Sequence, residues 1–268
     1  MYCKMSALKL LLFVNLFGFY FCNYDNIHWI TCIISSGNYL IYTYLYYLAF
    51  NNTYFAMAIT LKNYSEDLHS SHKLVSYGFS TLHAIFISVC ATLYLFNIID
   101  NYDIKQAFFI SISYYLADIY YVSDSVKKLN KLEYFTICHH TLMILMCYVL
   151  IIEIHNDMNL ENTLIYYFNR GLLAEYSVIP LNYSWYLVNT KQDGSSNMFI
   201  SSILTLVLYF ITRIVNFTLI IYNLWNYNLL LAVTLFLPLF LINYYWFYKL
   251  MCKAVRIYNK TKVIEKTG

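Results

Sequence analysis

Apolar positions along this chain gather into long runs separated by short polar intervals. Eight runs can be traced, at roughly 6–22, 28–50, 74–99, 106–123, 134–154, 162–188, 197–221 and 228–252. Most reach the ~20 residues that an α-helix needs to cross a hydrocarbon core. The pattern predicts an all-α, polytopic transmembrane helical bundle. It has seven to eight spanning helices, depending on the fate of the first run. No shift in composition marks a second folded domain, and no internal repeat is visible.

Composition agrees with that reading. Hydrophobic residues make up 60% and charged residues 12% of the 268, against about 25% charged in a soluble domain. Six glycines and two prolines leave the runs uninterrupted. The chain holds 31 tyrosines and much asparagine, a bias that weakens short motifs. The sequons "NNT" at Asn51 and "NYS" at Asn63 can arise by chance in such a chain. The net charge of +3 is too small for a nucleic-acid partner. Seven cysteines lack any paired spacing, so neither a disulfide framework nor a metal site is expected. Cys3 and Cys252 lie near run ends, where palmitoylation is chemically open, but unmodified thiols are the simpler expectation.

The polar intervals set an orientation. Lys4 precedes the first run and Lys9 lies at its start, Lys62 and Lys73 lie in 51–73, Lys127, Lys128 and Lys131 lie in 124–133, and a basic tail closes the chain. With eight spans these regions share one side. The other side receives Asp25, Asp100, Asp103, Glu153, Asp157 and Glu161 against Lys105. The positive-inside rule then places both termini in the cytosol. The first run follows lysines as a signal peptide would, but no small-residue cleavage site follows it. The expected organisation is an extra N-terminal hydrophobic helix or signal-anchor at 1–31, a transmembrane domain at 32–258 and a basic cytosolic tail at 259–268.

Several ionisable residues lie well inside the apolar runs: His83, Asp118, His139, His140, Arg170, Glu175 and Arg213. Each costs about 2.5–3.5 kcal/mol at a bilayer centre and is therefore expected to face the bundle interior. By a rise of ~1.5 Å per residue, His139 and Asp118 both lie about 8 Å inside the cytosolic end of their helices. They can meet if their faces agree. The neighbours His139 and His140 point about 100° apart, so one is expected to face a cavity and the other to support it. A structural ion pair is the competing reading for Glu175 and Arg213. A satisfied core histidine is the competing reading for His83. Proline inside a helix removes a hydrogen bond, so Pro180 is expected to bend the helix beside Glu175.

Five stretches, taken in order, resemble the motifs of the TLC domain family, which includes ceramide synthases, TRAM-like translocon proteins and smaller multipass proteins. They are "FSTLHAIFIS" with Ser80 and His83, "SYYLADIYYV" with Asp118, "HHTLMILMCYVL" with His139 and His140, "AEYSVIPLNYSWYL" with Glu175, Ser177, Pro180, Asn182 and Trp185, and "FITRIVNF" with Arg213. The resemblance covers about 32–258 and is nearer to the small TLC-domain proteins than to ceramide synthases. The Asp-x-x-Asp pair of the synthases is missing, and Pro180 and Arg170 are each displaced by one residue relative to Glu175.

The resemblance implies a bundle around a lipid-sized cavity and a role in lipid metabolism in the endoplasmic reticulum membrane. One implied activity is acyl-CoA-dependent acyl transfer to a lipid amine or hydroxyl. His139 or His140 would act as base or acyl acceptor, oriented by Asp118 or Glu175. Ser80, His83, Arg170, Ser177, Asn182, Trp185 and Arg213 would line the substrate site. No cofactor or metal is expected, and acyl-CoA would be a co-substrate. The other implied role is non-catalytic: a lipid-binding, sensing or trafficking protein whose histidines hydrogen-bond a headgroup. Membrane lipids are the expected partners, with a homo-oligomer or another membrane protein also open. A di-iron oxygenase fits poorly, because only "HSSH" at His69 and His72 resembles a histidine box. A transporter fits poorly for want of broken-helix Gly/Pro pairs and an inverted repeat.

Overall fold

The computed structural model describes residues 68–125, 131–151, 158–192 and 195–267. Among these residues every regular element is helical. In chain order they are α1 (Leu68–Leu95), α2 (Asn101–Ser125), α3 (Lys131–Ile151), α4 (Met158–Leu172), a 3-10 turn (Leu173–Ser177), α5 (Val178–Asn189), α6 (Ser196–Tyr209), a π-helical segment (Phe210–Val215), α7 (Asn216–Asn226) and α8 (Leu230–Thr267). The runs predicted at 6–22 and 28–50 lie outside the described residues.

Three of these helical stretches are long and apolar enough to cross a membrane: Ser76–Leu95, Ser196–Asn226 and Ala232–Val255. The expected count of seven to eight is therefore not reached among the described residues. Helix α2 shows why. It is long enough, with 25 residues, but it spends apolar character on Ser111, Ser113, Tyr114, Tyr115 and Asp118, all of them buried. Ser111 and Ser113 donate to the carbonyls of Ala107 and Phe109, four residues back, at 3.0 and 2.8 Å. Buried hydroxyls in an apolar helix are satisfied in this way without an outside partner.

The helix ends follow local chemistry. Asp100 caps α2 by accepting from the Asp103 N–H at 3.0 Å, and Ser195 caps α6 by accepting from Met198 N–H at 3.2 Å. In so glycine-poor a chain the left-handed stop positions go to Asn97, Lys191 and Asn228, with φ of 56°, 58° and 56°. After α7 the Leu229 N–H reaches Leu224 O at 3.0 Å and Asn228 N–H reaches Trp225 O at 2.9 Å. Lys191 and Gln192 repeat that pair of bonds after α5. Both are Schellman closures, for which asparagine is the usual substitute for glycine.

The chain divides into two compact units. The described part of the first comprises 68–76, 96–125, 131–151 and 158–166 and is built on α2 packed along α3. Ile104, Phe108, Ile112 and Tyr115 form one buried stripe on α2, and Met143, Cys147 and Leu150 form another on α3. Lys105 and Glu161 pair at 2.6 Å between α2 and α4.

The second unit comprises 77–95 and 167–267. Here α5 packs on α6 and α7 on α8. The α5–α6 contact is made by small residues: Ser184 and Ser201 share a 2.8 Å hydrogen bond, and Ser201 also lies 2.7 Å from Pro180 O. Gly171 of α4 admits the rings of Phe236 and Phe217; a Cβ there would sit 3.3 Å from Phe236 Cε1. Polarity is inverted relative to a soluble protein. Leu82, Ile85, Phe86 and Val89 of α1 face outward while His83 and Ser88 are buried. Phe199, Ile200, Ile203 and Leu204 of α6 face outward while Ser201 and Thr205 are buried. An outer surface this apolar has lipid as its natural solvent.

The helix expected to bend beside Glu175 changes its pattern there. The α-helical pattern gives way to the 3-10 turn Leu173–Ser177, and Pro180 sits in the first turn of α5. Proline is tolerated there because the first turn has no i−4 donor bonds to lose.

Candidate functional site

Two polar clusters are built inside this apolar framework, one in each unit. In the first, α3 carries His139 and His140 and α2 carries Asp118. His140 Nδ1 lies 3.4 Å from Asp118 Oδ2, within ion-pair reach but outside hydrogen-bond geometry. Asp118 is steadied from the other oxygen by Ser76, whose hydroxyl donates to Oδ1 at 2.9 Å. The His140 ring packs against Tyr115 at 4.9 Å between centroids and edge-on to Tyr114 at 6.0 Å. His139 stands beside it at 5.7 Å. All of Asp118, His139 and His140 are buried, at 4%, 9% and 8% exposure.

The α2–α3 packing thus brings His140 to the acid. A histidine with a carboxylate at Nδ1 presents Nε2 on the opposite edge of its ring. The tyrosine rings on two sides offer π-faces and a polar edge to an imidazolium. A histidine so placed can serve as a base or a hydrogen-bond donor in a low-dielectric setting.

The second cluster is centred on Arg213, buried to 3% exposure within the π-helical segment. Its Nε donates to Ser177 Oγ at 2.9 Å and to Ala174 O at 3.3 Å. One terminal nitrogen donates to Asn243 Oδ1 at 2.9 Å and the other to Glu175 Oε1 at 3.5 Å. The guanidinium also lies over the Tyr209 ring, 5.0 Å from its centroid. Ser177 in turn donates to Ala174 O at 2.7 Å. The π turn is marked by the Asn216 N–H bonding Ile211 O, five residues back. It takes in one extra residue, so that Ser201, Thr205 and Tyr209 before it and Phe217, Ile220 and Leu224 after it all turn inward. Segments of this kind recur where a helix must re-aim a functional or buried polar side chain.

The remaining predicted residues belong to the second unit. Ser80 and His83 sit three residues apart on α1; His83 is buried and Ser80 half-buried. Arg170 and Asn216 bond reciprocally: Arg170 donates to Asn216 Oδ1 at 3.0 Å and Asn216 to Arg170 O at 2.6 Å. Asn182 donates to Tyr77 O at 3.2 Å and Thr81 Oγ1 at 3.0 Å. Trp185 lies against the Tyr77 ring at 4.2 Å. These side chains hold α1 and α4 to their neighbours.

Sequence reasoning overlooked Ser76, Tyr114 and Tyr115 around His140, and Asn243 and Tyr209 around Arg213. Asn243 did leave a signal: it is the one asparagine inside the apolar stretch "LFLPLFLINYYWF". Tyr209 stands one turn before Arg213. The tyrosines of α2 carried none, because tyrosine is common throughout the chain.

A search of curated proteins and a search of solved structures each yield no match. The family model of the TLC domain matches residues 69–252, a range that holds His139, His140, Asp118, Glu175 and Arg213. That match takes in more than half of the chain and coincides with an inverted, lipid-facing helical architecture. The protein is a membrane protein, and it belongs to the TLC domain family.

Proposed function

We propose that this membrane protein acts in lipid metabolism by transferring an acyl group from acyl-CoA to a lipid amine or hydroxyl, with His140 as the working base. The observation that carries the proposal is the His140–Asp118 contact at 3.4 Å, backed by Ser76 and flanked by Tyr114 and Tyr115. His140 Nε2 takes the proton of the acceptor N–H or O–H as the acceptor's lone pair attacks the thioester carbonyl carbon. The tetrahedral intermediate collapses with cleavage of the C–S bond. The departing thiolate takes the proton back from the imidazolium. An amide or ester bond has formed, and free thiol leaves. Asp118 orients the ring and stabilises the transient cation, and such general acid–base assistance contributes about 10²–10⁴ in rate. His139, on the adjacent face, is the candidate to hydrogen-bond the acceptor.

Glu175 and Arg213 are assigned here to scaffolding. Each guanidinium nitrogen of Arg213 has an acceptor, Nε in Ala174 and Ser177 and the terminal two in Asn243 and Glu175. A residue so engaged has little left for a substrate. The same engagement keeps the second reading in view, in which the protein binds or senses lipid without transforming it. The basic tail and the resemblance to lipid-modifying relatives support the endoplasmic reticulum membrane with a cytosolic C-terminus.

The test is lipid profiling with labelled fatty acid in cells making wild type, His140→Ala, His139→Ala or Asp118→Asn at matched levels. An acylated lipid class that rises with wild type, is lost in His140→Ala and falls at least tenfold in Asp118→Asn is the expected result. Identical profiles in all four, with lipid still co-purifying, would leave the binding role and remove the catalytic one.

A further inference from the structure

A groove separate from both clusters opens between α5, α6 and the membrane-exit end of α8. It is shallow and open on one side, and its walls include Leu181, Leu206 and Leu250 with Ser202 and Lys253. A shallow groove open to the bilayer suits a lipid lying along it, not an enclosed soluble molecule. Ser184 and Thr205 also line it, but they are bonded to Ser201 at 2.8 and 2.7 Å. Ser202 and the exposed Lys253 are the polar groups turned to a ligand.

We propose that this groove seats an anionic glycerophospholipid of the surrounding leaflet. Three observations select that occupant. Lys253 lies two residues before the end of the apolar stretch Ala232–Val255, the depth at which a lysine reaches headgroup phosphates. The wall below it is leucine, continuous with the outward-facing Ile203, Leu204 and Met251, so a chain entering from the bilayer stays in apolar contact. The sequence beyond Lys253 is strongly basic, with Arg256, Lys260, Lys262 and Lys266 against Glu265. Such a segment raises the local concentration of anionic lipid. The lipid phosphate would lie on Lys253 and Ser202, with the chain along Leu250, Leu206 and Leu181. The site shares no residue with the His140 cluster and does not depend on acyl transfer.

The full chain is reconstituted in phosphatidylcholine nanodiscs carrying a small fraction of photoreactive phosphatidylserine or photoreactive phosphatidylcholine. Labelled peptides are quantified by mass spectrometry. Peptides of the groove are expected to take the phosphatidylserine probe about fivefold more than the phosphatidylcholine probe, the worth of one lysine near an anionic surface. Lys253→Gln should bring the two probes level. Leu206→Trp, which fills the groove, should lower labelling by both. Lys249→Gln should change nothing, since Lys249 lies over the Tyr245 ring at 5.4 Å and does not line the groove. Equal labelling of wild type by the two probes overturns the proposal. So does an equal loss in Lys249→Gln, which would mean a diffuse basic surface, or undiminished labelling in Leu206→Trp. Full competition by soluble glycerophosphoserine also overturns it, by making the site one for a free phosphate.

Discussion

Replacing Arg213 by methionine removes the cation from a fully enclosed network while keeping a long, helix-compatible side chain. Four acceptors lose their donor: Ala174 O, Ser177 Oγ, Asn243 Oδ1 and Glu175 Oε1. Ser177 and Ala174 still bond each other at 2.7 Å, so the heavier losses fall on Asn243 and Glu175. Glu175 is 8% exposed and would be left as a buried carboxylate without its counter-charge. Removing one partner of a buried pair costs about 3–5 kcal/mol. For a chain of this size that corresponds to a fall in Tm of roughly 10 °C. The decisive variant is the double change Arg213→Met with Glu175→Gln. If the cost is an orphaned charge, neutralising Glu175 recovers at least half of it, and the cycle shows a coupling of about 1.5–3 kcal/mol. The assay is thermal unfolding of each variant in one neutral detergent, with size-exclusion chromatography to confirm a folded, monodisperse species. A shift under 2 °C for Arg213→Met, or strictly additive losses in the double variant, would refute the scaffolding role of the pair. Either result would return Arg213 to the list of groups free to meet a substrate.

Three further outcomes are expected. Gly171→Ala gains up to about 1 kcal/mol of helix propensity but sets a methyl 3.3 Å from Phe236 Cε1. Overpacking costs about 1–3 kcal/mol, so Tm should fall, and adding Phe236→Leu should restore it; a Tm above wild type for the single variant would show that the ring yields freely. Ser201→Ala breaks the contacts to Pro180 O and Ser184 and should cost about 1 kcal/mol, measured by the same unfolding assay; no change would mean that the α5–α6 contact rests on its apolar residues. Ser76→Ala removes the 2.9 Å bond to Asp118 and should lower acyl transfer less than Asp118→Asn does, with Ser76→Thr restoring it; equal loss in both Ser76 variants would assign Ser76 a packing role.

Much of the architecture could be read from the chain. The run at 74–99 became α1, that at 106–123 α2, that at 134–154 α3, and the last two became α6 through α7 and α8. Run length and the scarcity of glycine and proline are local properties, and a helix satisfies its own backbone in an apolar medium. The run at 162–188 was read as one span and is instead α4, a 3-10 turn and α5. The turn that carries Glu175 is held by Ser177 and Arg213, partners that lie partly far along the sequence. Likewise the spacing of His139 and His140 says that they diverge but not which of them meets Asp118. The π turn at Phe210–Val215 has no sequence signature at all.

The sequence by itself determined that the chain is helical, membrane-borne and a TLC-domain protein, and it named His139, His140, Asp118, Glu175 and Arg213 as the polar exceptions. Burial cost explains this: an ionisable residue in an apolar run stands out whatever surrounds it. Only the tertiary structure decided that His140 lies beside Asp118, that Tyr115 flanks it, and that Asn243 completes the Arg213 network. Those outcomes depend on the rotation and register of one helix against another. Rotation and register are set by packing between residues distant in sequence, such as Gly171 against Phe236 or Ser184 against Ser201, which no local pattern encodes.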